Sequence, residues 1–409
     1  MNILFLHQNF PGQFLHIAVA LQRSGAHRLV AITDSLNSRP NLIPTVRYSL
    51  SPDAAGNPHP LARYYAERVA RGERVANAMS ALKGKGFEPD IIIGHPGWGE
   101  MLFARDIWRS ARIAAHCEYY TDENAPDLCF DPEFSEPQYA MRVRINNAVQ
   151  LQSLHDADFG ISPTAWQASR FPSVLQQRIS VVHEGIDTAV HRPNPLAEFE
   201  TPNGRTKLKC GQEIISYVSR NLEPYRGYHT FMRVLPEILA RRPNAHAVIV
   251  GGDSVSYSPQ PPKGTKWKDI FLQEVRDSLP PERVHFTGRI PYEHFRRLMQ
   301  VTSVHVYPTY PFVLSWSVLE AMSAGALVVA SDVEPVREII SHEVNGLLFD
   351  YFDRDQLITQ VVDTLANPAR YQTIRQSARE TIQQRYDLHS RQLPEWLSFV
   401  KKIYRFERT

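Results

Sequence analysis

Two consecutive series of short apolar runs, each run separated from the next by helix-period segments, constrain this chain most. In the first series β-type runs fall at Ile3–His7, Leu29–Thr33, Ile91–Gly94, Ile113–His116, Phe159–Ser162 and Ile179–His183. Helical patterns lie among them at Gln13–Ser24, Pro60–Lys83, Met101–Trp108 and Arg142–His155. Such alternation specifies a parallel sheet with helices on both faces. The pattern breaks at His191-Arg192-Pro193-Asn194-Pro195, and polar residues continue to Lys209, which reads as a linker. A second series places strands at Ile214–Ser219, Ala247–Gly251, Val284–Thr287, Val304–Tyr307 and Leu327–Ser331. Its helices are expected at Tyr228–Arg241, Ile270–Leu279 and Tyr292–Val301, and Asp355–Arg405 is nearly all helical in pattern. Ser254–Lys268, with its Pro and Lys residues, reads as a surface flap. The expected fold class is therefore α/β. Two Rossmann-like doubly wound domains, 1–190 and 210–385, are joined by a linker at 191–209 and face a cleft, with a C-terminal helix at 386–409 crossing back to brace the first. A cleft of that kind suits a two-part substrate, with one part held on each lobe.

Composition narrows the function classes. A chain of 409 residues exceeds what one core usually serves. A net charge of +2 supplies no basic field for nucleic acid. Cys117, Cys129 and Cys210 show neither metal-ligand spacing nor a disulfide framework, and read as free thiols in a reducing cytoplasm. Met1–His7 reads as a first strand rather than a signal peptide, and no apolar run approaches the ~20 residues of a membrane span. The expected location is the cytoplasm, and a peripheral contact with the inner face of a membrane is compatible.

Between the runs at Val304–Pro308 and Ala326–Asp332 lies Ser315-Trp316-Ser317-Val318-Leu319-Glu320-Ala321-Met322. A helix opening on Ser after a strand offers free N–H groups and a favourable dipole to a phosphate, and Glu320 could bond a ribose diol. The alternative is an ordinary βαβ unit in which Glu320 caps its own helix. Arg220 and Arg226, six residues apart on a loop closed by Gly227, could clamp a pyrophosphate bidentately, or could be two solvated arginines. Gly288-Arg289-Ile290 could read a base, where the glycine permits close backbone approach, or form a helix-entry turn before Pro291. His95 and His116 each end a strand. Trp98 and the Gly-rich surroundings of His95 suit sugar stacking or acceptor binding, the alternative for His95 being a structural role, and Glu118 and Tyr119 could line an acceptor pocket or simply pack. No Gly-Xaa-Gly-Xaa-Xaa-Gly follows any strand, which argues against a nicotinamide dehydrogenase.

These motifs resemble those of glycosyltransferase family 4, retaining enzymes of the GT-B fold. The resemblance covers about residues 214–385 and rests on Ser219-Arg220 with Tyr225-Arg226-Gly227, Phe286-Thr287-Gly288-Arg289-Ile290, Leu319-Glu320-Ala321-Met322, Ala324-Gly325, Val328–Asp332 and Asn345–Phe349. Arg226 stands where the family usually has Lys. In the first half Asn9–Phe14, containing Gly12, resembles the glycine loop after strand one, and Val181–Asp187 resembles the turn before the linker. The resemblance implies a nucleoside-diphosphate sugar as co-substrate, a hydroxyl-bearing acceptor (glycan, glycolipid or small molecule), and no cofactor and no metal. Arg220, Arg226 and the amides near Ser315, Trp316 and Ser317 would hold the diphosphate, Glu320 the ribose, and His116 the donor sugar. One departure stands out: the family pairs two Glu eight positions apart, and the first position here is Phe312. That keeps open a non-catalytic sugar-nucleotide or glycan-binding protein; a nucleotide-sugar epimerase is a separate alternative with the same fold. A phosphorylase is disfavoured because no Lys sits at the expected site.

Overall fold

The structure is a computed structural model that describes residues 1–51, 53–122, 126–135, 139–202, 204 and 206–406. The chain divides into two compact units: Met1–Ala125 with Pro137–Gly185 and His389–Thr409, and Pro126–Glu136 with Ile186–Leu388.

In the first unit the sheet comprises β1 (Asn2–Leu6), β2 (Arg28–Asp34), β3 (Thr45–Tyr48), β4 (Ile91–Gly94), β5 (Arg112–His116), β6 (Phe159–Ser162) and β7 (Ile179–Val181). Their order is β3-β2-β1-β4-β5-β6-β7, and every pairing is parallel. Strands covered on both faces should read as continuous apolar runs, and Ile3-Leu4-Phe5-Leu6 and Ile91-Ile92-Ile93 are fully buried. Helices α1 (Leu15–Arg23), α2 (Arg63–Gly84), α3 (Ala104–Ile107), α4 (Tyr139–Asp156), α5 (Ala165–Ser169) and α6 (Ser173–Gln176) connect the strands. The helix expected over Met101–Trp108 shrinks to α3, because residues 101–103 form turns and Trp108 is already non-helical. Thr45–Tyr48 was not expected as a strand; it lacks an apolar run because it lies at the sheet edge, with one buried residue.

The second unit carries the antiparallel hairpin β8 (Glu198–Glu200) and β9 (Lys207–Lys209). The stretch read as a polar linker is thus partly ordered as sheet, with buried Phe199 and Leu208 as its apolar pins. The main sheet contains β10 (Ile214–Asn221), β11 (His246–Gly252), β12 (Val284–Gly288), β13 (Val304–Tyr307), β14 (Leu327–Ser331) and β15 (Leu347–Phe349), in the order β12-β11-β10-β13-β14-β15, again all parallel. Its helices are α7 (Tyr228–Arg241), α8 (Trp267–Val275), α9 (Tyr292–Val301), α10 (Trp316–Ala324), α11 (Glu334–Arg337), α12 (Arg354–Ala366) and α13 (Gln372–Arg385). The final helix, α14 (Leu393–Arg405), belongs to the first unit, where Trp396, Phe399, Val400 and Ile403 join the core of β1 and α1. No helix among the described residues is long and apolar enough to cross a membrane.

The segment 126–135 packs into the second unit although it lies between β5 and α4 in sequence. Phe130 sits 4.9 Å from the Tyr351 ring and Phe134 4.8 Å from His229, while Asp131 accepts from His229 and Tyr310.

Candidate functional site

At the carboxyl ends of β10 and β13, one loop closes tightly on another. Gly227 has φ +68°, and a Cβ there would lie 1.7 Å from the Pro308 carbonyl oxygen, so only glycine fits. This closure sets Arg226 beside the start of α10. Its Nη1 donates to the Tyr307 hydroxyl (3.0 Å), Thr309 Oγ1 (3.2 Å) and the Val313 carbonyl (2.8 Å). The same Tyr307 hydroxyl accepts from the Ser315 amide at 2.9 Å, joining the guanidinium to the helix entry. Arg226 also lies 5.2 Å from the Phe312 ring centroid and 5.6 Å from that of Tyr257. Burial works against its charge, and the surrounding tyrosines and Glu223 more than offset that, holding its pKa above the usual value.

Helix α10 opens on Ser315, whose side chain accepts from the Ser317 amide, and stops at Gly325 with φ +88°. Ser317 is buried and Trp316 is 42% exposed. Arg220 is exposed at the end of β10, with no side-chain bond among the described residues. The structure therefore unites Arg226, Tyr307 and Ser315, whereas Arg220 stands in solvent.

Neighbouring loops are pinned by two residues that the sequence reading did not single out. Glu223, fully buried, accepts from the amides of Ser256, Tyr257 and Ser258 through Oε2. Asn221 accepts from Ser254 and from Arg289 Nη2 (3.1 Å) and donates to Ser256. The expected surface flap is thus anchored at its beginning. Gly288 has φ +65° with open space around its missing Cβ, and a cavity of about 410 Å³ beside it is lined by Thr287, Arg289, Ile290, Pro291 and His294.

Glu320 does not cap its own helix; Ser315 does that. Its carboxylate accepts from the Tyr292 hydroxyl on α9 and lies 3.4 Å from His191 Nε2, which in turn is 2.6 Å from that hydroxyl. Burial pushes the Glu320 carboxyl up to about 7, partly opposed by the Tyr292 bond, and pushes His191 down to about 4. Near neutral pH the imidazole is therefore neutral and the carboxyl stands close to the midpoint of its ionisation.

In the first unit, three histidines meet at the carboxyl ends of adjacent strands: His7 after β1, His95 after β4 and His116 ending β5. The His95 ring centroid is 5.6 Å from His7 and 5.8 Å from His116. Hydrogen bonds run from His7 Nε2 to Gln13 Oε1 (2.9 Å), from Gln13 Nε2 to Glu118 Oε1 (2.7 Å), and between Glu118 Oε2 and His95 Nε2 (3.0 Å). His116 Nε2 meets Glu184 Oε1 at 3.1 Å. Burial opposes ionisation of Glu118, but the bonds from His95 and Gln13 with the nearby imidazoles win and hold its carboxyl well below the usual range. His7 is pushed down to about 3, first by burial and then by His95. Gly12, at φ +49°, leaves room for the His7 ring, which a Cβ would meet at 2.8 Å. Trp98 is 6.0 Å from His95 with the Arg68 guanidinium 5.4 Å from its ring, and Tyr119 stacks on Trp166 at 6.0 Å. His7, Gln13 and Glu184 were not singled out from sequence because each meets a residue from another strand end, His95, Glu118 and His116 respectively; Gln13 and Glu184 sit in segments noted only as motifs. Among the described residues no group of three or more His, Cys, Asp or Glu side chains is arranged to hold a metal ion.

Comparison with known proteins bears on both units. The model described as glycosyl transferase family 4 group matches residues 25–191, and that of glycosyl transferases group 1 matches residues 201–381. The D-inositol 3-phosphate glycosyltransferase of Nocardia farcinica is 26% identical over 204 residues, covering 49% of this chain and 43% of that protein. The GDP-mannose-dependent alpha-(1-6)-phosphatidylinositol monomannoside mannosyltransferase of Mycobacterium tuberculosis is 25% identical over 245 residues, covering 57% and 60% respectively. The chain thus spans about half the length of the curated relatives it matches. Two solved structures share the fold: Anabaena HepE in complex with UDP and glucose (TM-score 0.70, 18% identity, 98% of this chain and 100% of that one), and sucrose-phosphate synthase from Thermosynechococcus elongatus (0.73, 17%, 98% and 99%). With two glycosyltransferase models lying end to end over most of its length and both sheets matched in the solved structures, this chain belongs to glycosyltransferase family 4 of the GT-B fold.

Proposed function

We propose that this protein transfers a sugar from a nucleoside-diphosphate donor to an acceptor hydroxyl with retention of anomeric configuration and without a metal ion. The observation that carries the reading is Arg226, a guanidinium fixed by three oxygen acceptors at the mouth of α10 with no carboxylate within ion-pair distance among the described residues. A cation held this way, beside a helix N-terminus, suits a diphosphate that gains charge as it leaves. The bond from the sugar C1 to the diphosphate oxygen breaks, the acceptor oxygen bonds C1 on the same face, and the acceptor proton passes to the leaving phosphate oxygen. No pair of catalytic carboxylates is then needed, unlike in glycoside hydrolysis.

In this reading Arg226, Arg220 and the amides near Ser315–Ser317 stabilise the diphosphate. Glu320, oriented by Tyr292 and His191, holds the ribose, and the Gly288-Arg289-Ile290 loop faces the base. His116 touches a donor-sugar hydroxyl, while His95, Trp98, Glu118 and Tyr119 line the acceptor region and Gly12 lets the strand-one loop close beside it. Phe312 places an aromatic face against Arg226 where the family has Glu, so sugar contacts differ here from the usual pattern. The relatives' names include transferases acting on inositol phosphate and phosphatidylinositol mannoside, which favours turnover over binding alone and supports a polyol-bearing acceptor, including one at a membrane surface.

The test is to incubate the protein, with EDTA, with UDP-, GDP-, ADP- and TDP-sugars and a polyol acceptor panel, reading the product anomer by NMR. One donor consumed to give a product of unchanged anomeric configuration is the expected result. An inverted product contradicts retention, and a donor bound but never consumed favours the binding-protein reading.

A further inference from the structure

The second unit has a cavity of about 380 Å³ at the amino ends of its strands, the end of the sheet opposite Arg226 and Ser315. Cys210 to Glu213 precede β10, Thr302 and Ser303 precede β13, and Ala324 and Gly325 precede β14; all line it, together with Pro193–Pro195 and one face of α13. The transfer chemistry above makes no use of this place. Its volume lies within the range of small-molecule sites.

Two guanidinium groups of α13, Arg375 and Arg379, contribute to the wall. Arg379 gives Nη1 to the carbonyls of Ser323 and His191 and Nη2 to that of Thr188. Among the described residues Arg375 makes one hydrogen bond, from Nη2 to the Ser303 carbonyl at 3.1 Å, and its buried Nε has no acceptor. Neither has a carboxylate within ion-pair distance among the described residues. The one acidic side chain on the wall, Glu213, is already paired with Arg242. The remaining polar side chains on the wall are uncharged: the hydroxyls of Thr302, Ser303 and Thr364, the Cys210 thiol, and the amides of Asn194, Gln212, Gln300, Gln372 and Gln376. Burial holds both guanidinium groups below their usual pKa, and neighbouring Arg192 adds to this at Arg379. Partly desolvated cations without counter-charges are costly, and a bound anion would offset that cost.

We propose that this cavity binds a small organic phosphate, its oxyanion on Arg375 and Arg379 and its hydroxyl-bearing remainder among the amides. Guanidinium groups suit the phosphate because they donate from a planar fork, and the amides both donate and accept towards hydroxyls. The site also touches the donor side through one residue, His191. Arg379 holds the His191 carbonyl, and the His191 side chain contacts Tyr292 and Glu320. An anion that draws Arg379 away from that carbonyl would act on the residues that orient Glu320, so the occupant is expected to be a modulator rather than a substrate.

Cys210 gives a local readout, since it is exposed and lines this cavity, while exposed Cys129 does not. Alkylation of each thiol is followed by mass spectrometry on the full chain with glycerol 3-phosphate at about 10 mM, a concentration suited to weak metabolite sites. Glycerol and glycerate serve as neutral and carboxylate comparisons. Glycerol 3-phosphate is expected to slow labelling of Cys210 roughly fourfold by occupancy and leave Cys129 unchanged, with glycerol inert. Arg375→Gln should abolish the protection. If that variant fails to fold, Gln376→Glu, which adds a like charge from an exposed position on the same wall, should do the same. No protection of Cys210, or equal protection by glycerol, or protection that survives in a folded Arg375→Gln or Gln376→Glu variant, overturns the proposal. The readout is independent of donor binding, so failure of the transferase reading leaves it intact.

Discussion

The carboxyl ends of the two sheets are built on different principles. In the second unit, Arg226, the Ser315 amide and Tyr307 are positioned by backbone geometry: a glycine that tolerates no side chain, a helix that opens on serine, and a loop tied by Glu223. In the first unit, His7, His95, His116, Glu118 and Glu184 hold one another through side chains from β1, β4, β5 and the turn after β7. A site built on backbone geometry shows itself as short contiguous motifs. A site built on cross-strand side-chain pairs leaves single residues scattered along the sequence. The first should break under changes of shape and the second under changes of charge or hydrogen bonding.

The sharpest way to break that contrast is Gly227→Ala. With a Cβ 1.7 Å from a backbone oxygen and a positive φ, the loops must separate, costing at least about 3 kcal/mol of stability by denaturant unfolding. Arg226→Ala should come next. It is expected to weaken nucleoside-diphosphate binding about 50-fold by calorimetry, roughly 2.3 kcal/mol for a charge-assisted phosphate bond. Exposed Arg220→Ala should cost only about fivefold, since a solvated arginine gives up less.

Glu320 probes the second unit by pH. Its carboxyl is raised to about 7, so the native state holds the proton more tightly than the unfolded chain does. Stability should therefore decline as pH rises from the ordinary carboxyl range to about 7, and Glu320→Gln should flatten that slope. Ribonucleotide affinity should move the other way, rising as the carboxylate forms. An analogue without ribose hydroxyls should show no such rise.

In the first unit, Glu118→Gln retains shape but removes the charge facing His95. Turnover should fall about tenfold, roughly 1.4 kcal/mol, while affinity for the bare diphosphate stays constant. A parallel loss of diphosphate affinity would dissolve the distinction between the two sites. The smallest effect is expected from Phe312→Glu, which places a carboxylate beside Arg226 and should lower diphosphate affinity about threefold by competing for the guanidinium.

How much of this the sequence disclosed follows the same division. The strands with continuous apolar runs, such as Ile91–Gly94 and Val304–Tyr307, were read with their ends in place, because burial on both faces leaves no ambiguity. Edge strand β3 and the hairpin strands β8 and β9 were missed, since each of the three strands buries only one residue. Arg226, Ser315 and Glu320 were singled out through motifs and hydrogen-bond chemistry, but their burial and partners were not legible. Tyr292 and His191 lie far from Glu320 in sequence, and nothing local marks them. Segment 126–135 reads as loop between two elements of the first unit, and only its aromatic contacts place it in the second.

The central claim is that Arg226 and the start of α10 form a metal-independent nucleoside-diphosphate site. Calorimetric titration of UDP, GDP, ADP and TDP into the protein and its Arg226→Ala variant, with EDTA throughout, tests it most directly. One diphosphate binding the native protein and losing about 50-fold in the variant is the predicted result. No binding of any diphosphate, or equal affinity in the two proteins, would contradict the account.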